Sequence, residues 1–232
     1  MAKDKQTKVI ILAAGMGTRL AQDIPKPLIS LANEKTIIDF QIEKLSQYIP
    51  VDNIIVVVGY KKEIVMEKHP ELTYVYNEAY ARTNTGKSLL RAIKKIDDDV
   101  IWLNGDVFFD QEIISKLIES DHSCILTDNK KCGEEEIKFT TDSQGNIKEL
   151  SKTVKNGEGE GLGINLIKKD LLPAFKNHLA AVDDQDYFEK AIENMIKDDK
   201  AEIKPLDSEG LFCQEIDFEE DLLSVKKKLQ EK

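Results

Sequence analysis

Three continuous runs of aliphatic residues constrain this chain most: Val9-Ile10-Ile11-Leu12-Ala13, Ile54-Ile55-Val56-Val57-Val58 and Val100-Ile101-Trp102-Leu103. None alternates apolar with polar, as a strand with one wet face would. A strand apolar at every position needs cover on both faces, which parallel sheets obtain from crossover helices. The intervening segments supply those helices. Ile38, Ile42, Leu45 and Ile49 recur at helical spacing, and the same pattern predicts helices over 63–68, 88–95 and 111–120, with a strand over 73–76. The first half therefore reads as α/β.

The second half has another texture. A strand is predicted over 123–127 and a charged turn over 130–136. Segments 136–140 and 147–150 flank Asp142-Ser143-Gln144-Gly145-Asn146, strong turn chemistry that predicts a hairpin. Gly157, Gly159, Gly161 and Gly163 lead into the apolar stretch 164–167. Beyond it come a helix over 187–197, a short strand over 201–205 and a charged amphipathic helix from Glu219. No linker, repeat or low-complexity segment divides the 232 residues. One α/β domain over 1–232 with an antiparallel accessory ribbon is the simplest arrangement.

Charge and cysteine usage narrow the partners. A net charge of −10 excludes a nucleic-acid wrapper, so any anionic ligand must be attracted locally. Cys124, Cys132 and Cys213 form no C-x-x-C pair, and His69, His122 and His178 stand isolated, so neither a disulfide framework nor a zinc site is signalled. No apolar run approaches the roughly 18 residues of a membrane span. The expectations are a cytoplasmic protein, no nucleic acid and no membrane insertion.

Four constellations could carry chemistry. Leu12-Ala13-Ala14-Gly15-Met16-Gly17-Thr18-Arg19-Leu20 follows the first strand directly, where small residues and consecutive amides can cradle phosphates and Arg19 adds a charged fork. As a dinucleotide fingerprint it fails, because Leu20 stands where the third glycine is needed. Pro25-Lys26-Pro27-Leu28 fixes a lysine between two prolines, able to aim back at those phosphates. Asp106 closes the strand Trp102-Leu103-Asn104-Gly105, at the strand end where open α/β sheets bind ligands. In Cys213-Gln214-Glu215-Ile216-Asp217, read as a strand, Glu215 and Asp217 share a face and could complete a Mg²⁺ site with Asp106. Gly86-Lys87-Ser88 ends like a P-loop, but Ala81 occupies the place of its first glycine.

The string from Leu12 to Leu20, followed by Pro25-Lys26-Pro27-Leu28, closely resembles the signature of the nucleotidyltransferases that make sugar nucleotides and CDP-alcohols. In Glu136-Ile137-Lys138-Phe139, Asn146 to Lys152 and Gly159-Glu160-Gly161-Leu162-Gly163 the chain is most similar to the small CTP:phosphocholine and CTP:inositol-1-phosphate cytidylyltransferases. The resemblance implies a Rossmann-like, mixed, mostly parallel sheet with a nucleotide half over about 1–120 and an acceptor half over about 121–232. It implies Mg²⁺-dependent transfer from an NTP, CTP foremost, to phosphocholine, an aminoethylphosphonate or a polyol phosphate. Leu12 to Arg19, Lys26, Asn84, Ser88 and Asp106 would bind nucleotide, with Lys26 and Arg19 catalytic. Lys138, Lys152, Glu160, Gly161 and Tyr187 would bind acceptor, and Asp106, Asp217 and Glu215 the metal. Tyr187 and Phe188, next to Asp183, Asp184 and Asp186, could form an anionic, aromatic pocket for an amine. The same residues leave open a sugar-1-phosphate thymidylyl- or uridylyltransferase, a P-loop or non-catalytic nucleotide-binding module, and a homodimer.

Overall fold

The computed structural model describes residues 4, 6–16, 24–130, 133 and 136–231. Its elements begin with β1 (Lys8–Ala13), β2 (Ser30–Ala32), β3 (Lys35–Thr36), α1 (Ile37–Leu45), β4 (Ile54–Val58), α2 (Lys62–Lys68) and β5 (Thr73–Tyr76). There follow α3 (Thr85–Ile93), β6 (Val100–Asn104), β7 (Val107–Phe109), α4 (Glu112–Ile118), β8 (Cys124–Asp128), β9 (Lys138–Thr141) and β10 (Ile147–Ser151). The last are β11 (Gly159–Ile167), α5 (Leu172–Ala181), α6 (Phe188–Asp199), β12 (Lys204–Asp207), β13 (Cys213–Glu215) and α7 (Glu219–Gln230).

The three apolar runs lie side by side. Val9 pairs in parallel with Ile54 of β4 and with Ile101 of β6, and β5 continues the parallel set beside β4. Successive β1 residues feed opposite cores. Val9, Ile11 and Ala13 pack with α1 and α4, whereas Ile10, Leu12 and Ala14 pack with α3, α5 and α6. That two-sided burial is why the run shows no period of two.

β11 joins this parallel half to an antiparallel one. Ile164 to Ile167 pair with β6, whereas Gly159 and Glu160 pair with β9 of the β9–β10 hairpin. β8 flanks β11 and carries β12 on its outer edge. Among the described residues the result is one mixed sheet, in the order β10-β9-β11-β6-β1-β4-β5 with β8 and β12 to the side. The chain moves outward from β1 to β4 and β5, then returns to β1's other flank as β6. The switch point thus lies between the carboxyl ends of β1 and β6, the preferred ligand crevice of such sheets.

Several boundaries differ from the sequence expectation. α3 starts at Thr85 rather than Ser88, because the Asn84 side chain caps it by accepting from the Thr85 amide at 2.8 Å. The strand expected over 201–205 runs from Lys204 to Asp207. Its lead-in instead closes α6, with Lys200 at φ +53°, and pairs Ile203 O with the Ile147 amide. Glycines 159, 161 and 163 lie inside β11, and α5 stands where no element was expected. Part of the 130–136 turn, including Cys132, falls outside the described residues.

Candidate active site

A cleft of about 1220 Å³ opens at the switch point. Leu12, Ala13 and Gly15 bring it the end of β1, Lys26 and Pro27 the proline turn, and Asn104, Gly105 and Asp106 the end of β6. Gly105 keys these pieces together. Its amide donates to Leu12 O at 2.9 Å, and a Cβ there would lie 2.7 Å from that oxygen and 3.0 Å from Pro27 Cγ. Only glycine lets the three loops meet.

Lys26 begins a single 3₁₀ turn whose Pro27 and Leu28 are buried, so its backbone has little freedom. Its ammonium bridges two carboxylates, 2.6 Å from Asp106 Oδ2 and 2.5 Å from Asp217 Oδ1. Burial alone would lower the Lys26 pKa, but the charges and hydrogen bonds of Asp106 and Asp217 raise it above the usual lysine value.

Each carboxylate is tethered. Gln41, buried on α1, donates through Nε2 to Asn104 O at 3.0 Å and Val107 O at 2.8 Å, clamping the turn that bears Asp106. The Ile216 amide donates to Asp106 O, and Asp221 accepts from the amides of Asp217 and Phe218 as α7 begins. Gln41 was not singled out from the sequence. Its signal was a polar residue three positions after Ile38, inside the stripe that α1 buries.

Glu215 lies beside this pair, its Oε1 accepting from Asn104 Nδ2 at 2.8 Å. It is reached by solvent through the cleft, yet protein surrounds it on the other sides. Burial, and next the Asp106 charge, push its carboxyl up to about 7. Gly163, at φ +70°, leaves room for it, since a Cβ there would sit 2.6 Å from Glu215 Oε1. Among the described residues no three His, Cys, Asp or Glu side chains converge as a ready metal cluster, so the expected trio of Asp106, Asp217 and Glu215 is not assembled. Two carboxylates already converging on one cation, with Asp106 Oδ1 buried and unpartnered, still fit a magnesium ion. Such an ion usually takes one or two protein carboxylates plus substrate phosphates.

The opposite wall holds the acceptor candidates. Lys152, Glu160, Gly161 and Tyr187 all line the cleft; Lys138 does not. It projects from β9 to donate to Gly133 O, and Lys130 takes its place on the wall, 2.8 Å from Glu160 Oε1. Glu136 and Glu189 are lining residues that sequence reasoning missed. Burial, followed by the Glu215 charge, pushes Glu189 up to about 8.

Other expected contacts lie elsewhere. Asn84 caps α3 and donates to Gln185 O, and Ser88 is buried accepting from Asn77, so Thr85 alone of that turn lines the cleft. Ala14 is buried beneath the β1 turn and Met16 faces outward. Gly17, Thr18, Arg19 and Leu20 lie outside the described residues. Lys87 donates to Leu179 O, Ala180 O and Val182 O at the carboxyl end of α5, which answers the P-loop resemblance: this lysine caps a helix. The amine pocket is also corrected. Phe188, though at the cleft edge, packs edge-on against Trp102 in the core, and Asp183, Asp184 and Asp186 are not among the lining residues.

Residues 9–190 match the family described as the MobA-like NTP transferase domain. The chain belongs to that family. This transferase domain is 27% identical over 231 residues to the bifunctional protein GlmU of Methanocaldococcus jannaschii, covering 96% of the chain and 54% of that protein. It is 39% identical over 115 residues to GlmU of Methanococcus maripaludis strain C7, covering 47% of the chain and 27% of that protein. The chain thus spans about half or less of these relatives' length. A D-glycero-alpha-D-manno-heptose 1-phosphate guanylyltransferase of Campylobacter jejuni is 27% identical over 72% of the chain and 79% of its own length. Two solved structures share the transferase fold. The CTP:phosphocholine cytidylyltransferase of Streptococcus pneumoniae superposes with a TM-score of 0.78 at 21% identity, covering 97% of this chain and 99% of its own. The inositol-1-phosphate CTP transferase of T. maritima gives 0.79 at 16%, covering 99% and 98%. No helix among the described residues is long and apolar enough to cross a membrane.

Proposed function

We propose that this chain transfers a nucleotidyl group from an NTP, CTP foremost, to a small phosphorylated or phosphonate acceptor, in a nucleotide half over about 1–120 and an acceptor half over about 121–232. The observation that carries the proposal is the Lys26 ammonium between Asp106 and Asp217, at the floor of a cleft whose far wall holds Lys130 and Lys152.

An acceptor oxygen attacks the α-phosphorus in line, forming a new P–O bond. The bond from that phosphorus to the bridging oxygen breaks, and pyrophosphate leaves with the electron pair. Amides of 14–18 and the Arg19 guanidinium hold the β- and γ-phosphates. Lys26 neutralises charge developing on the α-phosphate, and Lys130 and Lys152 orient the acceptor phosphate against it. Asp106 and Asp217 would hold magnesium. When bound, the ion neutralises phosphate charge and aligns the two substrates. Glu215, through Asn104, steadies the turn that carries Asp106.

CTP is preferred because two structural neighbours are named for it. A relative is named for guanylyl transfer, so the nucleotide must be tested directly. The test is a pyrophosphate-release screen crossing the four NTPs with phosphocholine, phosphoethanolamine, aminoethylphosphonate, inositol phosphate and hexose phosphates. Turnover requiring both an NTP and an acceptor is expected. NTP hydrolysis without an acceptor requirement would overturn the proposal.

A further inference from the structure

Lys26 has two places to be. In the structure its ammonium lies between Asp106 and Asp217, 2.6 and 2.5 Å from their oxygens. In the proposed transfer that ammonium meets the α-phosphate, while the same two carboxylates hold magnesium. Magnesium sits about 2.1 Å from its oxygen ligands. An ion shared by these carboxylates therefore comes as close to them as the lysine nitrogen does, and two cations repel strongly at such a separation. One must leave for the other to enter.

The surroundings decide which group moves. The Lys26 backbone is fixed: the Leu28 amide donates to Pro25 O at 2.8 Å, the Ile29 amide to Lys26 O at 3.1 Å, and Pro27 and Leu28 are buried. The side chain is a flexible four-carbon stem, and it lines the cleft, so the ammonium can swing into that space. The carboxylates keep their places without it. Gln41 and the Ile216 amide hold the turn that bears Asp106, and the Asp217 amide donates to Asp221 Oδ2 at 3.0 Å. The Asp106 and Asp217 side chains are 23% and 29% exposed, against 12% for Lys26, so an ion entering from the cleft can meet the carboxylates directly.

We propose that Lys26 is an exchangeable counter-ion: it occupies Asp106 and Asp217 until a divalent ion takes them, and is thereby released towards the nucleotide phosphates. The inference rests on the transferase reading for the lysine's destination, and adds regulation of that site. Without an NTP the displaced ammonium loses two charge-assisted hydrogen bonds and gains none, so the ion alone binds weakly. With an NTP it finds phosphate oxygens, and ion and nucleotide favour each other's binding reciprocally. A permanent bridge predicts the opposite sign. If Lys26 assembled the carboxylates for the ion, removing it would weaken metal binding.

The test is metal binding without nucleotide. Lys26→Met keeps the apolar stem and removes the ammonium. Calorimetric titration with Mg²⁺ and with Mn²⁺, which suits the same oxygen ligands, should show the variant binding at least about ten-fold more tightly than the parent, the scale of one charge-assisted hydrogen bond. Adding Asp217→Asn to Lys26→Met should abolish that gain and so place it at this pair. Without metal the Tm of Lys26→Met should lie below the parent's, and Mg²⁺ should raise it by more than it raises the parent's. Should Lys26→Met fail to fold, the parent decides by acylation with an amine-reactive ester, read by peptide mass spectrometry. Saturating Mg²⁺ should then increase modification of Lys26. Metal affinity in Lys26→Met equal to or weaker than the parent's overturns the inference, as does Lys26 acylation that metal leaves unchanged. Tighter metal binding by the variant, with no turnover by the parent on any NTP and acceptor, overturns the transferase proposal instead and leaves the exchange standing.

Discussion

The floor of the cleft and the wall opposite it are built from similar residues and balance their charges in opposite ways. On the floor, Lys26 is satisfied by Asp106 and Asp217, and their backbones are tied down from α1, β13 and the start of α7. On the wall, Lys130 pairs with Glu160, but Glu136, Glu160 and Glu189 each keep a buried oxygen with no donor among the described residues. Chemistry that recurs at every turnover needs a rigid, pre-organised charge arrangement.

Removing a floor carboxylate should have the largest effect. Asp106→Ala and Asp217→Ala are each expected to lower kcat by about 10³ or more, and the double mutant by little beyond either single change, since both would hold one ion. Metal-dependent pyrophosphate release measures this; losses that multiply would separate the two residues. Lys26→Ala follows, at about 10²–10³ in kcat with the fold retained, as expected for loss of one electrostatic donor. Near wild-type turnover in that variant would make Lys26 a structural bridge alone.

The two regions meet at Gly163, where β11 lies against Glu215 and Asn104. Gly163→Ala imposes a Cβ on Glu215 Oε1 at φ +70°, and should cost about 1–2 kcal/mol of stability and at least about ten-fold in kcat. Thermal unfolding and steady-state assays together show whether the floor is disturbed through Glu215.

A smaller effect follows from Glu189. Its carboxyl is raised from 4.5 to about 8 on folding, so the folded state binds the extra proton between those values. That contribution to stability is fully present below about 4.5 and lost as pH rises towards about 8. Without ligands, Tm of the parent should fall across this window more steeply than Tm of Glu189→Gln; parallel profiles would show that Glu189 ionises normally. Smallest of all, Lys87→Ala should leave NTP affinity within a few-fold and lower stability by about 1 kcal/mol, the worth of a cation at a helix carboxyl end. A large loss of NTP affinity would return that lysine to the nucleotide.

Parts of this architecture were legible because they are local. A short, β-branched run apolar at every position and soon followed by glycine reads as a strand covered on both faces, so β1, β4 and β6 could be read directly. Gly15, Lys26 and Asp106 lie just beyond such runs or in a proline-fixed turn, where backbone geometry follows from residue type. α5 was not expected, although Leu172, Phe175, Leu179 and Val182 keep helical spacing and are all buried.

Which side chains meet was decided by the tertiary structure alone. The 80 positions between Lys26 and Asp106 and the 191 between Lys26 and Asp217 vanish only when β6 returns beside β1 and β13 pairs with β7. Lys138 and Lys130 are equally plausible from composition. Their fates differ because β9 turns Lys138 towards Gly133, whereas Lys130 follows the end of β8 and reaches Glu160. Unpaired oxygens cannot be read from a sequence at all. Whether a carboxylate finds a donor depends on every neighbour that packing brings to it, and the sequence determined the strands and loops that carry these groups, not the company they keep.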